Sequence, residues 1–188
     1  FRWCEVKIPI SDYPMVKQII VASVYGYSGA NKDACTKDGV WKDNEDLLAR
    51  TFEHAATYGD VPYFLCIDAN VDSRTSDILS KILASDQWHN VLAVAGSPED
   101  QDAPTYGQSK GWDKHTAEAH TSKIDYLITN STGKALIKEA FVNRDRILPS
   151  HLGVNAVLDL KQAEQSLTRI EAPGRLHRDY KPVLPDQD

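Results

Sequence analysis

Alternating and continuous apolar runs divide the first half of the chain into strands and helices. Residues 3–9 and 17–25 predict strands, and the second of these ends in the turn-rich stretch GYSGANKD. Residues 43–58 predict a helix, because apolar side chains recur there at helical spacing, and Asp43 or Asn44 is its predicted cap. The nearly continuous apolar run DVPYFLCIDAN then predicts a strand that is buried on both faces.

The second half of the chain alternates short periodic segments with long polar ones. Apolar residues at helical spacing predict a second helix capped by Ser76, and residues 91–94 predict a short strand. The polar stretch over 95–122 predicts long surface loops, which in compact domains are often functional. Two further strands are predicted by KIDYLIT and by VNAVLDL, in which Val154 and Leu158 share one face.

These elements predict one α/β domain followed by a tail. Strands interspersed with two helices and long loops favour a sandwich of mixed sheets flanked by helices over a doubly wound parallel sheet. The chain of 188 residues is long enough to bury a core without disulfides or a structural metal. We expect the domain to span residues 1–165, and residues 166–188, which have three prolines and no periodicity, to form an extended tail.

The charge balance narrows the class of partner. The chain has 21 basic and 27 acidic residues, a net charge of −6, which disfavours a protein that coats nucleic acid through phosphate contacts. No apolar run approaches the length of a membrane-spanning helix, so no transmembrane segment is predicted.

The cysteines indicate a reducing setting. Cys4, Cys35 and Cys66 are odd in number and form no CxxC pair, so neither a disulfide framework nor a zinc cluster is indicated. Cys66 lies in an apolar run and is predicted to be a small buried hydrophobe. An intracellular location is therefore expected, in the nucleus, the cytoplasm or an organelle.

Polar residues at the ends of predicted strands are the candidates for chemistry. Asp68 and Asn70 follow a buried strand, where side chains are held rigidly, although an Asx-rich turn would have the same pattern. Asp125 lies inside an apolar strand and needs a partner, because an unpaired buried carboxylate is unfavourable. His151 precedes the last strand, and Tyr25 ends the strand QIIVASVY. Taken singly, each of these residues also has a structural explanation.

The order of these residues resembles the endonuclease/exonuclease/phosphatase family, which includes DNase-I-like nucleases, apurinic endonucleases, inositol polyphosphate phosphatases and sphingomyelinases. Four strand ends present, in chain order, Tyr, then Asp-x-Asn, then Asp, then Ser-His, over about residues 17–160. The matching segments are VASVYGY (21–27), DVPYFLCIDANV (60–71), PTY (104–106), SKIDYLI (122–128) and SHLGV (150–154).

The resemblance implies a fold and a reaction. The fold would be DNase-I-like, an α/β two-layer β-sandwich flanked by helices, here lacking its N-terminal strands. The reaction would be hydrolysis of phosphate esters with a divalent metal, usually Mg²⁺. The substrate would be nucleic acid, a nucleotide or a phospholipid headgroup.

By the same resemblance, five residues would carry the reaction. Asp68 would orient or deprotonate the attacking water, and Asn70 would donate a hydrogen bond to a phosphate oxygen. Tyr25 would contact the phosphate, and His151 would face the charge that develops on it. Asp125 would pair with His151, fix its tautomer and favour its charged form.

The sequence departs from the family pattern in its metal ligands. In the family, a block with a catalytic Asn and a block with the metal-binding Glu precede the strand that matches 17–25. Residues 1–16 contain neither block, and Glu5 lies in a different context. Ser150 stands where the family has an Asp before the His, so the metal ligands are left unassigned.

Three explanations remain open at this point. The chain is a fragment, a degenerate domain that keeps the scaffold without the reaction, or a chain that shares the fold alone. The second explanation leads to an alternative function, a catalytically silent scaffold or subunit of a larger assembly. Its protein partners would bind the truncated sheet and the Pro-rich tail, because exposed sheet edges invite pairing.

Overall fold

The chain folds into two unequal β-sheets, with helices packed against the outer face of the larger one. The computed structural model describes residues 2–10, 16–30, 38–107, 122–144 and 150–162. The tail predicted over 166–188 and most of the second half of the predicted loop region lie outside the described residues.

Seven strands and five helices make up the described part of the chain. The strands are β1 (Trp3–Pro9), β2 (Gln18–Tyr25), β3 (Tyr63–Asp68), β4 (Trp88–Asn90), β5 (Asp125–Asn130), β6 (Ile137–Asn143) and β7 (Gly153–Leu158). The helices are α1 (Asp38–Ala56), α2 (Asp77–Ala84), α3 (Val91–Ala95), α4 (Pro98–Gln101) and α5 (Ser131–Lys134), and a short 3-10 turn spans Leu160–Gln162. Among the described residues, no helix is both long and apolar enough to cross a bilayer.

The larger sheet is mixed and the smaller one is a single antiparallel pair. The larger sheet has the strand order β1-β2-β3-β5-β4, and β6 pairs with β7 in the smaller sheet. Strands β2 and β3 run parallel, with α1 in the connection between them, whereas the other pairings are antiparallel. The predicted fold class, an α/β sandwich of mixed sheets flanked by helices, is confirmed.

Two apolar cores lie on the two faces of the larger sheet. Alternation along β2 sends Ile20, Ala22 and Val24 to one face, where they pack with Leu48 and Phe52 of α1. The other face packs against the smaller sheet through a second set of buried side chains, among them Ile19, Phe64, Leu92, Leu127, Ala140 and Val142. The sheet is therefore the central layer of the molecule.

The smaller sheet covers only part of the second face. On β1, the side chains of Val6 and Ile8 are 59% and 42% exposed, although both are apolar. Cys66 also faces this side and is exposed. The prediction that Cys66 is a buried hydrophobe is therefore wrong, because β6 and β7 do not extend over this part of β3.

Two predicted elements were also misplaced. The helix predicted over 43–58 begins earlier, at Asp38, so Asn44 is a fully buried residue inside α1 rather than its cap. The strand predicted at 91–94 is helix α3, which Asn90 caps by accepting a hydrogen bond from the Leu92 amide at 3.1 Å. The predicted cap Ser76 is confirmed, since its side chain accepts from the Leu79 amide at the start of α2.

Glu5 lies on the helix side of the larger sheet. Its carboxylate accepts hydrogen bonds from the Tyr58 hydroxyl at 2.6 Å, the Tyr63 hydroxyl at 3.0 Å and His54 Nε2 at 3.1 Å. Burial opposes ionisation of Glu5, but these donors outweigh it and lower the pKa of the carboxyl. Glu5 therefore joins the edge strand β1 to α1 and belongs to the fold.

Candidate active site

Three of the five predicted site residues lie in one row across the larger sheet. Tyr25, the last residue of β2, is opposite Asp68, the last residue of β3. Asp68 in turn is opposite Asp125, the first residue of β5. Neighbouring strands are about 4.8 Å apart, and directly opposite residues project from the same face. A phenol and two carboxylates therefore stand side by side at one end of the sheet.

His151 joins this row from the segment that leads into β7. Its Nδ1 lies 3.1 Å and 3.0 Å from the two carboxylate oxygens of Asp125, with Nδ1–H as the donor. The side chains of His151 and Asp125 are 23% and 18% exposed, so the pair is largely shielded from water. This pairing provides the partner that the partly buried carboxylate of Asp125 requires.

The pKa values of His151 and Asp68 are both raised. The hydrogen bond that His151 donates to Asp125 raises the pKa of His151, against the effect of burial, and the nearby Asp68 adds to the rise. Burial, together with the negative charge of Asp125, raises the pKa of Asp68, while His151 and the Asn70 amide partly offset that rise. The site therefore favours a charged imidazole and a carboxylate more basic than usual.

Asn70 comes two residues after Asp68 in the chain, and its backbone amide orients the Asp68 carboxylate. Its backbone has a φ of 52°, in the left-handed region that asparagine tolerates, and its amide N–H donates to Asp68 Oδ1 at 3.2 Å. The side-chain amide donates to the carbonyl oxygen of Gly26 at 3.2 Å. Asn70 thus lies beside the row, with one amide N–H turned toward the end of β2.

Tyr25 forms the exposed end of the row. Its side chain is 50% exposed, and its hydroxyl lies 3.4 Å from the Ser28 hydroxyl. All five predicted residues are thus at the same end of the larger sheet.

Thr105 holds the Asp125 end of the row in position. It is completely buried, and its hydroxyl oxygen accepts from the backbone amides of Ile124 and Asp125 at 3.2 Å and 3.0 Å. The neighbouring Tyr106 forms a β-bridge with His151, and the two rings are 4.9 Å apart. The segment PTY (104–106) was among the matching segments in the sequence, but no role was predicted for Thr105 or Tyr106.

Asn44 of α1 ties together the ends of β2 and β3. Its side-chain oxygen accepts from the Tyr27 amide at 2.8 Å, and its side-chain nitrogen donates to the Ala69 carbonyl at 3.0 Å. Gly26 lies in this junction, where its own amide donates to the Asp68 carbonyl at 2.6 Å. Prediction from the sequence missed this role because Asn44 looked like a helix cap.

A cavity of about 420 Å³ opens in front of the row. Its lining includes Tyr25, Asp68, Asp125 and His151, and Cys66 extends it along the uncovered face of β3. Asn70 is not among the lining residues. The backbone carbonyl of Ser150, the residue before His151, accepts from the Gly107 amide at 3.1 Å.

The donor atoms in the row fit a divalent cation. Single ligand atoms of Asp68, Asp125 and His151 all lie within 4.8 Å of one another. Mg²⁺ keeps several waters and is usually held by one or two carboxylates together with substrate phosphates. The raised pKa of Asp68 beside Asp125 indicates negative charge that a cation would offset. The two carboxylates are therefore the groups that would hold a divalent cation.

Comparison with known proteins identifies the fold. No family model matches the sequence, and no curated protein sequence matches it. An endonuclease/exonuclease/phosphatase family protein from Bacteroides thetaiotaomicron superposes with a TM-score of 0.54 at 15% identity, over 84% of this chain and 56% of that one. The chain has the fold of these proteins, a DNase-I-like sandwich, and the predicted resemblance is confirmed at the level of fold.

Two further solved structures share this fold. The catalytic domain of Xenopus laevis APE2 superposes with a TM-score of 0.59 at 14% identity, over 83% of this chain and 54% of that one. The 3′ phosphatase NExo from Neisseria, solved with a product DNA hairpin, gives 0.58 at 15% identity, over 84% of this chain and 80% of that one. The chain spans little more than half the length of the Bacteroides and Xenopus proteins.

Proposed function

We propose that this chain is a metal-dependent phosphoesterase of the nuclease type, with Tyr25, Asp68, Asn70, Asp125 and His151 as its site. The observation that carries the proposal is the His151–Asp125 pair beside Asp68 in one cavity, with the Nδ1 of His151 3.0 Å from Asp125 Oδ2. A paired imidazole and a nearby free carboxylate are the groups that general acid–base hydrolysis uses.

Asp68 is the proposed base. Its carboxylate borders the cavity and is oriented by the Asn70 amide, so it is placed to accept a proton from a water molecule in the cavity. It would orient a water molecule toward the phosphorus and accept the proton that the water loses.

His151 is the proposed source of positive charge. Asp125 occupies its Nδ1, so Nε2 is the nitrogen left for the substrate, and the raised pKa keeps a proton on it. A charged imidazole would stabilise the negative charge that develops on the phosphate oxygens. Tyr25 and the Asn70 amide would add hydrogen bonds to the same phosphate group.

Mg²⁺ held by Asp68 and Asp125 would neutralise phosphate charge as a Lewis acid. Phosphate esters that carry a nucleoside are the favoured substrates, because the structural neighbour NExo is a 3′ phosphatase solved with a product DNA hairpin. We also propose an intracellular location, since Cys4 and Cys66 are free thiols.

Hydrolysis of bis(p-nitrophenyl) phosphate tests the proposal. The wild-type chain should hydrolyse this diester with Mg²⁺ and lose the activity with EDTA. Asp68→Asn and His151→Ala should each reduce kcat by roughly 100-fold or more, the usual contribution of a general acid or base. Asp86→Asn, an exposed aspartate away from the cavity, is the matched control and should retain activity.

The same experiment tests the silent-scaffold alternative, for which the structural neighbours offer no support. A chain that hydrolyses nothing at any Mg²⁺ concentration, or that keeps its activity in Asp68→Asn, would contradict the phosphoesterase proposal. Unchanged binding of a protein partner by these variants would then favour the scaffold.

A further inference from the structure

Asn44 connects helix α1 to the end of the sheet that carries the site. It is completely buried, and both polar atoms of its side-chain amide have a backbone partner. The Oδ1 atom accepts from the Tyr27 amide at 2.8 Å, and Nδ2 donates to the Ala69 carbonyl oxygen at 3.0 Å. These two partners set the orientation of the side chain, because a flipped amide would place oxygen against oxygen and N–H against N–H.

The contact with Ala69 acts on Asn70 through a single peptide group. The carbonyl of Ala69 and the N–H of Asn70 belong to one planar trans unit, in which they point in opposite directions. The carbonyl points to Asn44, so the N–H points away from it and donates to Asp68 Oδ1 at 3.2 Å. Asn44 therefore sets the direction of the N–H that orients the Asp68 carboxylate.

The contact with Tyr27 acts on Asn70 in the same way. The N–H of Tyr27 and the carbonyl of Gly26 also belong to one planar peptide group, and Asn44 binds its N–H. The carbonyl oxygen of Gly26 therefore points away from Asn44, and it accepts from Asn70 Nδ2 at 3.2 Å. One buried side chain thus holds the two peptide groups that direct the backbone and side-chain amides of Asn70.

The conformation of the Ala69–Asn70 peptide needs such a contact. Asn70 has a φ of 52°, in the left-handed region that is unfavourable for residues other than glycine. Turning this peptide over would return Asn70 to a negative φ, as in the exchange between type II and type I turns. The same rotation would direct the N–H away from Asp68 and break the hydrogen bond from Asn44. The hydrogen bond from Asn44 therefore opposes the rotation.

We propose that Asn44 is a positioning residue of the site, which acts on the reaction by holding both amides of Asn70 in place. This inference rests on the proposed function, because it takes Asp68 to act on the attacking water and Asn70 to act on the phosphate. Asn44 is completely buried and does not line the cavity, so its effect on the reaction passes through Asn70 and Asp68.

Hydrolysis of bis(p-nitrophenyl) phosphate with Mg²⁺ tests the proposal. Asn44→Ala releases both peptide groups and should reduce kcat roughly tenfold or more, because small displacements of a positioned group slow a reaction by this much. KM should change by less than about twofold, because the substitution disturbs the alignment of Asp68 and Asn70 in the transition state and removes no contact with bound substrate. An unchanged kcat would overturn the proposal.

Asn44→Asp should restore activity in a pH-dependent way, and it keeps the test open if Asn44→Ala does not fold. One carboxyl oxygen still accepts from Tyr27, whereas the other donates to the Ala69 carbonyl only while it carries a proton, which burial favours. The ratio of its kcat to the wild-type kcat should therefore rise as the pH falls, and the ratio for Asn44→Ala should stay constant. A ratio for Asn44→Asp that stays low at every pH would overturn the proposal.

Glu45→Gln is the matched control. Glu45 is the next residue of α1 and is also buried, but its carboxylate accepts from the Ser76 hydroxyl at 2.6 Å and from the Ile78 amide at 2.8 Å, at the start of α2. The substitution should destabilise the fold in urea, because it leaves one of these donors without an acceptor, but it should leave kcat nearly unchanged. If kcat falls in proportion to stability in both Glu45→Gln and Asn44→Ala, Asn44 serves the fold alone and the proposal is wrong.

Amide hydrogen exchange, measured by NMR in EDTA, separates this proposal from the proposed function because it requires no activity. The Asn70 amide should exchange roughly tenfold faster in Asn44→Ala than in wild type, but not in Glu45→Gln, since only the first substitution releases its peptide group. Equal exchange in wild type and Asn44→Ala would overturn the role of Asn44, even in an active phosphoesterase. A wild-type chain that hydrolyses nothing would instead contradict the proposed function, and the exchange data would still decide whether Asn44 holds the peptide.

Discussion

A single residue, Asp125, gave the sharpest local information about the site. A carboxylate inside an apolar strand needs a partner, and this need could be recognised without coordinates. The identity of the partner could not, because His151 is 26 residues away and meets Asp125 only when the segment before β7 crosses the end of β5. The pairing sets the charge state of the imidazole, so it can be measured directly.

Replacing Asp125 should lower the pKa of His151. In the wild-type chain the hydrogen bond that His151 donates to Asp125 raises that pKa above its ordinary value of about 6.5, and Asp125→Asn removes the acceptor charge. NMR titration of the imidazole protons in EDTA measures both values. His89, whose pKa burial and Lys134 lower, is the internal control and should titrate identically in the two proteins.

The same pair should make the stability depend on pH. A group whose folded-state pKa is raised stabilises the fold below its unfolded-state pKa, and this contribution is lost as the pH rises through the folded value. The free energy of unfolding should therefore fall above about pH 6.5 in the wild type and fall less in Asp125→Asn. Identical pH profiles would show that the pair does not affect the charge of His151.

At the scale of elements, long apolar runs were easier to assign than short ones. β2, β3 and β5 combine β-branched or aromatic residues with lengths typical of strands, and all three were predicted. The run around Val91 and Leu92 was misassigned, because a short apolar segment has no periodicity that separates a strand from a buried helix. The start of α1 was also missed, since the polar run KDNED (42–46) separates Val40 and Trp41 from the main apolar stripe of the helix.

The close approach of the ends of β2 and β3 at Gly26 can be tested by adding one methyl group to this residue. A Cβ on Gly26 would lie 2.5 Å from the Ala69 carbonyl oxygen and 2.8 Å from Asn44 Oδ1, closer than real contacts allow. Gly26→Ala should therefore reduce the free energy of unfolding by about 1–3 kcal/mol, as overpacking usually does. Urea denaturation measures the change.

Gly39→Ala is the control for this substitution. A Cβ on Gly39, in α1, would have no atom within 4 Å, so the change should be neutral or stabilise by up to about 1 kcal/mol. If the two variants are equally stable, the ends of β2 and β3 do not approach each other as closely as described.

At the scale of the whole molecule, the smaller sheet leaves part of the larger one uncovered. Cys4 and Cys66 lie on that part, each opposite Ser23 of β2, on neighbouring strands. Both thiols are exposed. The apolar character of the run around Cys66 predicted burial, but exposure depends on how far a distant pair of strands extends over the face.

Thiol labelling of the native chain measures this exposure. Iodoacetamide should modify Cys4 and Cys66 without denaturant, so Cys4→Ser and Cys66→Ser should each lose one adduct by mass spectrometry. Cys66 should react more slowly than Cys4, because its partly desolvated position in the cavity and the nearby Cys4 raise the pKa of its thiol. Labelling of Cys66 only after unfolding would mean that this face is covered.

The sequence by itself determined the class of fold and the chemical types at the site. Local periodicity specifies strands and helices, and the positions where strands end specify which polar side chains emerge there, so Tyr25, Asp68 and Asp125 could be predicted. Only the tertiary structure decided their neighbours, because contacts across strands depend on register and on segments far apart in the chain. Asn44 acquires its place between the ends of β2 and β3 through such contacts, and no local pattern encodes it.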